Sequence, residues 1–132
     1  MSEVLGCGID IEELIRFDSK IPSGRNLPGF AQLVYTPFEI ESYSKINSEY
    51  TFPLSFSCKE AFFKALGVSW TNSYITWKDI ELVFHDENNL NDHSIRLSGY
   101  AEELFNEKKC RCYKSEFELT DRYIIFQVVL LS

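Results

Sequence analysis

The stretch Val4-Leu5-Gly6-Cys7-Gly8-Ile9-Asp10-Ile11-Glu12 alternates, and that alternation sets the reading of the rest of the chain. Leu5, Cys7, Ile9 and Ile11 fall on one side of an extended backbone; Gly6, Gly8, Asp10 and Glu12 fall on the other. The expectation is a strand with one buried face, the apolar one. Its second face is stripped to glycine and then carries two carboxylates. Acids at i and i+2 of a strand project from the same side. Hard oxygen ligands so placed suit Mg²⁺ when substrate phosphates complete its shell. The competing reading is a solvated strand end. Bare backbone at Gly6 and Gly8 leaves room for another chain or a ligand, and this favours a functional role for the carboxylates.

Outward from this strand, Glu13 to Phe17 shortens toward a helical turn, and residues 19–29, with two Pro and two Gly, read as a loop. Thr36-Pro37-Phe38-Glu39 is a helix start: Thr caps, Pro suits the first helical position and Glu follows three residues after the cap. This helix is expected to run to about Ile46. A second is expected to begin near Ser55 or Ser57 and to stop at Gly67. After a loop over 68–77, strands are expected at 79–84 and 94–97, joined by a polar, Asn-rich turn. Residues 99–109 read as a helix, and 112–119 with 123–131 as a hairpin around Thr120-Asp121-Arg122. No repeat or low-complexity segment appears. Parallel βαβ alternation is absent, so the fold class expected is α+β, with an antiparallel sheet and packed helices. The length, 132 residues, suits a single domain spanning 1–132.

Composition narrows the function classes. Hydrophobic residues make up 45% of the chain, enough for a packed core. Its 15% aromatic share either fills that core or lies partly at a subunit contact. The formal charge of −7 disfavours nucleic acid and anionic membrane surfaces as partners, but not phosphorylated small molecules, because a bound divalent ion inverts the local field. Cys110-x-Cys112 has neither zinc-knuckle nor redox spacing. With no secretory signal read at its start and no membrane-length apolar run, the chain is expected to be cytoplasmic, with its four thiols reduced.

The second chemical stretch is Phe56-Ser57-Cys58-Lys59-Glu60-Ala61-Phe62-Phe63-Lys64-Ala65-Leu66-Gly67. Glu60 and Lys64 share one helical face. They read either as a capping box from Ser57 to Glu60 with a surface ion pair, or as a metal-binding carboxylate beside a lysine that neutralises phosphate.

Together these stretches carry a resemblance. Gly8-Ile9-Asp10-Ile11 with Arg16, then Tyr35-Thr36-Pro37-x-Glu39, then Lys59-Glu60-Ala61-x-x-Lys64-Ala65-x-Gly67, then Trp77-Lys78-Asp79-Ile80-Glu81, follow the order and spacing of the 4′-phosphopantetheinyl transferase superfamily. The chain resembles its short, holo-acyl-carrier-protein-synthase branch from about residue 4 to 131. The resemblance implies transfer of the phosphopantetheine arm from coenzyme A to a serine of an apo acyl carrier protein, with Mg²⁺ as cofactor and adenosine 3′,5′-bisphosphate released. It implies catalytic Asp10, Glu60 and Lys64, with metal ligands Asp10 and Glu60. Glu12 stands where the longer, monomeric branch carries a third ligand. Coenzyme A contacts fall to Lys64, Gly67 and Thr120, and contact with the acidic carrier falls to Arg16.

The match departs from the pattern in places. Leu33 stands where a basic residue is usual, Val68-Ser69-Trp70 replaces a Gly-containing turn, and Glu118 replaces a small hydroxyl residue before Thr120 and Asp121. These departures point to an unusual carrier or to reduced activity. They support an alternative: a catalytically impaired member that binds a carrier protein or coenzyme A. A chain of half the long branch's size implies a homotrimer, with coenzyme A lying between subunits.

Overall fold

The computed structural model describes residues 2–17, 29–69 and 74–132. Most of the loop expected over 19–29 and the centre of the 68–77 segment, Trp70 included, lie outside these. In chain order the elements are β1 (Val4–Glu13), a 3-10 turn (Leu14–Arg16), α1 (Phe30–Val34), α2 (Pro37–Ser44), α3 (Thr51–Leu66), a second 3-10 turn (Trp77–Asp79), β2 (Ile80–Phe84), β3 (His93–Leu97), α4 (Gly99–Glu107), β4 (Cys112–Leu119) and β5 (Tyr123–Leu131). The α+β expectation holds. β1, β5 and β4 form an antiparallel sheet in that order, and β2 with β3 form a second antiparallel pair.

The face of β1 that is buried is the opposite of the one expected. Gly8, Asp10 and Glu12 are buried, whereas Ile9 and Ile11 are 49% and 60% exposed. α3 explains the inversion, because its backbone lies against the glycines. A Cβ on Gly6 would stand 2.0 Å from the carbonyl oxygen of Ala65, and one on Gly8 would stand 2.0 Å from that of Ala61. A turn of helix and two strand residues advance by nearly equal distances, roughly 6 Å each. Ala65 therefore meets Gly6, Ala61 meets Gly8, and Ser57 meets Asp10. The bare face is where the helix sits, and the apolar face is left outward.

β5 supplies the floor of the core. Its inward residues Ile124, Phe126, Val128 and Leu130 are fully buried and pair with Glu12, Asp10, Gly8 and Gly6. The core also takes many of the described aromatics. Phe17, Phe30, Tyr35, Tyr43, Phe56, Phe62, Phe63 and Phe126 are buried, and the outward side of β1 is aliphatic.

α3 begins earlier than expected. Pro53 is tolerated in its first turn, where backbone N–H groups lack helical partners anyway. Ser55 and Ser57 sit inside the helix, not at its start, because each donates its hydroxyl to a buried carboxylate. The capping box from Ser57 to Glu60 is thereby excluded. The helix stops at Gly67, whose positive φ of 78° permits bonds from its N–H to Lys64 O and from Val68 N–H to Phe63 O. The capping box at Thr36 forms as expected: Glu39 N–H donates to Thr36 Oγ1 and Thr36 N–H to Glu39 Oε1. The short α1 was not anticipated.

The two sheets are joined by side chains. Tyr113 Oη on β4 accepts from Ile95 N–H at 2.6 Å and donates to Ile95 O at 3.1 Å, while His93 Nε2 lies 2.8 Å from Ser115 Oγ. All four cysteines are free thiols; Cys58 and Cys110 are buried. Among the described residues, no helix is long and apolar enough to cross a membrane.

Candidate active site

The site forms where α3 crosses β1. Asp10 is held at both oxygens: Oδ2 accepts from Ser57 Oγ at 3.0 Å, and Oδ1 accepts from Lys64 Nζ at 3.2 Å. Lys64 Nζ also donates to the carbonyl oxygen of Ile9 at 2.9 Å. The carboxylate is nearly enclosed, with its side chain 8% exposed, whereas the Lys64 side chain is 54% exposed. A reachable cation thus covers the outer oxygen of a buried anion.

Glu60 lies one helical turn before Lys64 and is half-buried, at the edge of the same crossing. Glu12 is buried two residues beyond Asp10 on the same strand face. Among the described residues, no three His, Cys, Asp or Glu side chains draw together into a group that could hold a metal ion. The donor chemistry still fits a hard divalent cation: Lys64 Nζ already sets a positive charge between Asp10 Oδ1 and the carbonyl oxygen of Ile9, both hard oxygens.

The remaining expected residues are not brought together: Arg16 and Thr120 lie past the Glu13 end of β1, and Gly67 past its Gly6 end. Arg16 is exposed at the end of the first 3-10 turn. Gly67 is exposed at the end of α3. Thr120 folds its hydroxyl into the β4–β5 turn, accepting from Arg122 N–H at 3.2 Å and Tyr123 N–H at 2.8 Å. Beside it, Asp121, Arg122 and Tyr123 line a cavity of about 450 Å³ with Glu13, Leu14 and Ile15. Glu118 is exposed on the outer side of β4, level with Ile125.

Two residues on which the sequence reading placed no chemistry hold α3 in position. Lys59 is wholly buried and donates to Glu39 Oε1 at 2.7 Å, to Trp77 O at 3.0 Å and to Ile80 O. Glu39 Oε1 also accepts from Thr36 N–H. Its Oε2 accepts from Tyr43 Oη at 2.9 Å, Ser55 Oγ at 2.7 Å and Leu82 N–H at 3.1 Å. Burial pushes the Lys59 ammonium below its ordinary pKa, and the facing Glu39 carboxylate works against that shift. The pair locks α3 to α2 and β2, and so fixes where Glu60 and Lys64 project. The visible signal was the placement of Glu39 and Lys59 inside the two matched motifs, but nothing in their spacing announced that they meet.

Comparison with known proteins establishes the family and the fold. A family model described as the 4′-phosphopantetheinyl transferase superfamily matches residues 6–126. The chain belongs to that superfamily. A holo-[acyl-carrier-protein] synthase from Geobacter sp. (strain M21) is 36% identical over 105 residues, 79% of this chain and 79% of that one. Among solved structures, the holo-[acyl-carrier-protein] synthase from Neisseria meningitidis superposes with a TM-score of 0.77 at 19% identity, covering 97% of this chain and 98% of that one. The Helicobacter pylori holo-[acyl-carrier-protein] synthase in complex with coenzyme A gives 0.70 at 22% identity, covering 94% and 98%. At these identities the two structures establish a shared fold. Within the matched range of this 4′-phosphopantetheinyl transferase superfamily member, Asp10 lies on β1 with Glu60 and Lys64 on α3, and Asp10 and Lys64 meet where the two elements cross.

Proposed function

We propose that this chain is a holo-[acyl-carrier-protein] synthase: it moves the 4′-phosphopantetheine arm from coenzyme A to a serine of an apo acyl carrier protein and releases adenosine 3′,5′-bisphosphate. The observation that carries the reading is the Asp10–Lys64 contact, which sets a metal-type carboxylate just beneath the surface beside an exposed, phosphate-type ammonium. The relatives named above and the coenzyme A complex of a structural neighbour support it.

Asp10 and Glu60 are the residues that would hold Mg²⁺, with Glu12 a further ligand drawn in from the same strand face. Bound there, the ion would screen the diphosphate and stabilise charge on the leaving oxygen. Lys64, freed from Asp10, neutralises a second phosphate oxygen. Glu60, half-buried on α3, accepts the proton of the attacking serine, directly or through a water. Gly67 and Thr120 border the coenzyme A path, and Arg16 meets the acidic carrier.

The same reading includes a homotrimer in the cytoplasm. Its support is the outward face of the three-stranded sheet, where Ile9 and Ile11 stand bare beside the half-buried Ile125, Val129 and Leu131. An open aliphatic sheet face of this kind is ordinarily covered by another chain.

The rival reading, a member that binds without transferring, draws on Leu33, which is 56% exposed where the family pattern has a basic residue. A mass-shift assay decides between them. The protein, coenzyme A, Mg²⁺ and a panel of apo carriers from fatty-acid, polyketide and peptide synthesis are mixed. At least one carrier gains the arm, and Asp10→Asn and Glu60→Gln abolish the gain. Full activity in both variants would refute the site assignment, and binding without transfer to any carrier would favour the rival.

A further inference from the structure

Ser57 lies in the middle of α3 and is fully buried, yet it is no part of the helix start that its residue type suggested. Its hydroxyl crosses to a residue 47 positions away and donates to Asp10 Oδ2. We infer that Ser57 is a positioning residue for metal binding: it fixes the Asp10 carboxylate so that Oδ1 alone is presented to a cation. This inference rests on the proposed reading of Asp10 as a metal ligand.

The two oxygens of Asp10 have unlike partners. The inner one meets a neutral hydroxyl inside the protein, and the outer one meets a partly exposed ammonium. The torsion that turns a carboxylate about its Cβ–Cγ bond has a broad minimum, so one contact at one oxygen leaves the plane free to rotate. A second contact at the other oxygen removes that freedom. A neutral donor suits the inner place, because it orients the carboxylate without cancelling the charge needed by a divalent cation. Groups that orient a ligand in this way ordinarily govern metal affinity by about 10- to 100-fold.

The α3–β1 register brings Ser57 to the inner side of Asp10, while Lys64 reaches its outer oxygen from further along the helix. Ala61 and Ala65, the next two turns, meet Gly8 and Gly6. Ser57 is thus placed by the same backbone contact that buries the glycines, and its hydroxyl is held where Asp10 points.

The test is Mn²⁺ binding by the full-length protein with coenzyme A present, followed through the electron-spin signal of free Mn²⁺. Thermal melting and the separate kcat and coenzyme A KM at saturating metal are measured alongside. Ser57→Ala is expected to fold, to weaken Mn²⁺ binding about tenfold, and to leave the KM for coenzyme A unchanged once metal is saturating. Ser57→Cys, similar in size but a poor donor, should behave as Ser57→Ala does, and Ser57→Thr should restore binding. Asp10→Asn is the reference. If it abolishes Mn²⁺ binding while folded Ser57→Ala and Ser57→Cys bind like the parent, the role of Ser57 is overturned and the metal assignment stands. If Asp10→Asn leaves Mn²⁺ binding intact, the metal assignment fails and the Ser57 role falls with it.

Discussion

Lys64 Nζ sits 3.2 Å from Asp10 Oδ1 and 2.9 Å from the carbonyl oxygen of Ile9, so the free protein keeps an ammonium on the carboxylate proposed to hold metal. Lys64 therefore competes with a metal ion for Asp10 until a phosphate draws it away. Lys64→Met should separate these roles. Without coenzyme A it should bind Mn²⁺ several-fold more tightly than the parent, because Asp10 has lost its internal counter-ion. With coenzyme A and carrier, transfer should fall about 10²-fold, the usual cost of removing one charge-stabilising donor. Mn²⁺ titration and single-turnover transfer measure the two effects. Weaker metal binding without coenzyme A would mean that Lys64 merely braces the site.

A glycine substitution tests the crossing itself. A Cβ on Gly8 would lie 2.0 Å from Ala61 O, 2.7 Å from Ala65 N and 3.0 Å from Lys64 Cβ. The first two atoms are helix backbone and cannot rotate aside. Gly8→Ala must push α3 off β1, at a cost of about 3 kcal/mol by the usual scale of overpacking. Urea unfolding should show the loss, and the protein that remains folded should transfer poorly because Lys64 moves away from Asp10. A parent-like midpoint would show that the helix approaches β1 less closely.

What the sequence made legible, and what it hid, follows from the same crossing. The hairpin strands 112–119 and 123–131 were readable to the residue, because Thr120-Asp121-Arg122 separates two runs of strand-forming residues. The β1 alternation gave the period of the strand but not which face turns inward. Glycine looks polar by hydropathy, yet it was the surface on which a helix backbone could rest. The motif residues Asp10, Glu60 and Lys64 were readable as a set through resemblance. The Lys59–Glu39 pair was not, because a buried ion pair between residues twenty positions apart leaves no periodic trace. Ser57 was misread because serine is a common helix cap, and its true acceptor comes from a distant strand.

The Lys59–Glu39 pair makes an asymmetric prediction. Breaking a buried ion pair from one side costs about 3–5 kcal/mol, since the other charge stays buried. Lys59→Met leaves Glu39 with its donors from Thr36, Tyr43, Ser55 and Leu82. Glu39→Leu removes the acceptor from all of these and leaves the ammonium without its counter-charge, held by the carbonyls of Trp77 and Ile80. Glu39→Leu should therefore be the more destabilising variant, and the double variant should recover only part of the loss. Denaturant midpoints for the two singles and the double decide the order.

His93 supplies a pH dependence with a definite sign. Its ring sits between the sheets, with Nδ1 3.3 Å from Leu90 O and Phe117 and Phe126 close by. Burial lowers its pKa, while bonds to the Leu90 and Asn91 backbone and the charge of Asp92 oppose the shift and His85 adds to it. The unfolded chain then binds the proton more readily than the folded one. This contribution to stability is present above the unfolded value, about 6.5, and is lost as pH falls through the lower folded value. Carboxylates titrate at still lower pH, so the comparison with His93→Gln is what counts. Unfolding free energies between pH 7.5 and 5 should decline more steeply in the parent than in His93→Gln. Parallel profiles would remove His93 from the account.

The outward sheet face gives the last prediction. Ile9 and Ile11 on β1 pair with Gln127 and Ile125 on β5, and this patch faces away from α3. Ile11→Glu places a charge in its centre without touching the inward residues, so the fold and the Asp10–Lys64 contact should persist. Light scattering on the parent should give three times the chain mass, and Ile11→Glu should give the mass of one chain. If coenzyme A lies between subunits, the variant should also lose coenzyme A affinity while its melting curve stays cooperative. A monomeric parent would exclude the trimer. A monomeric variant with full transfer activity would show that one chain carries the whole site.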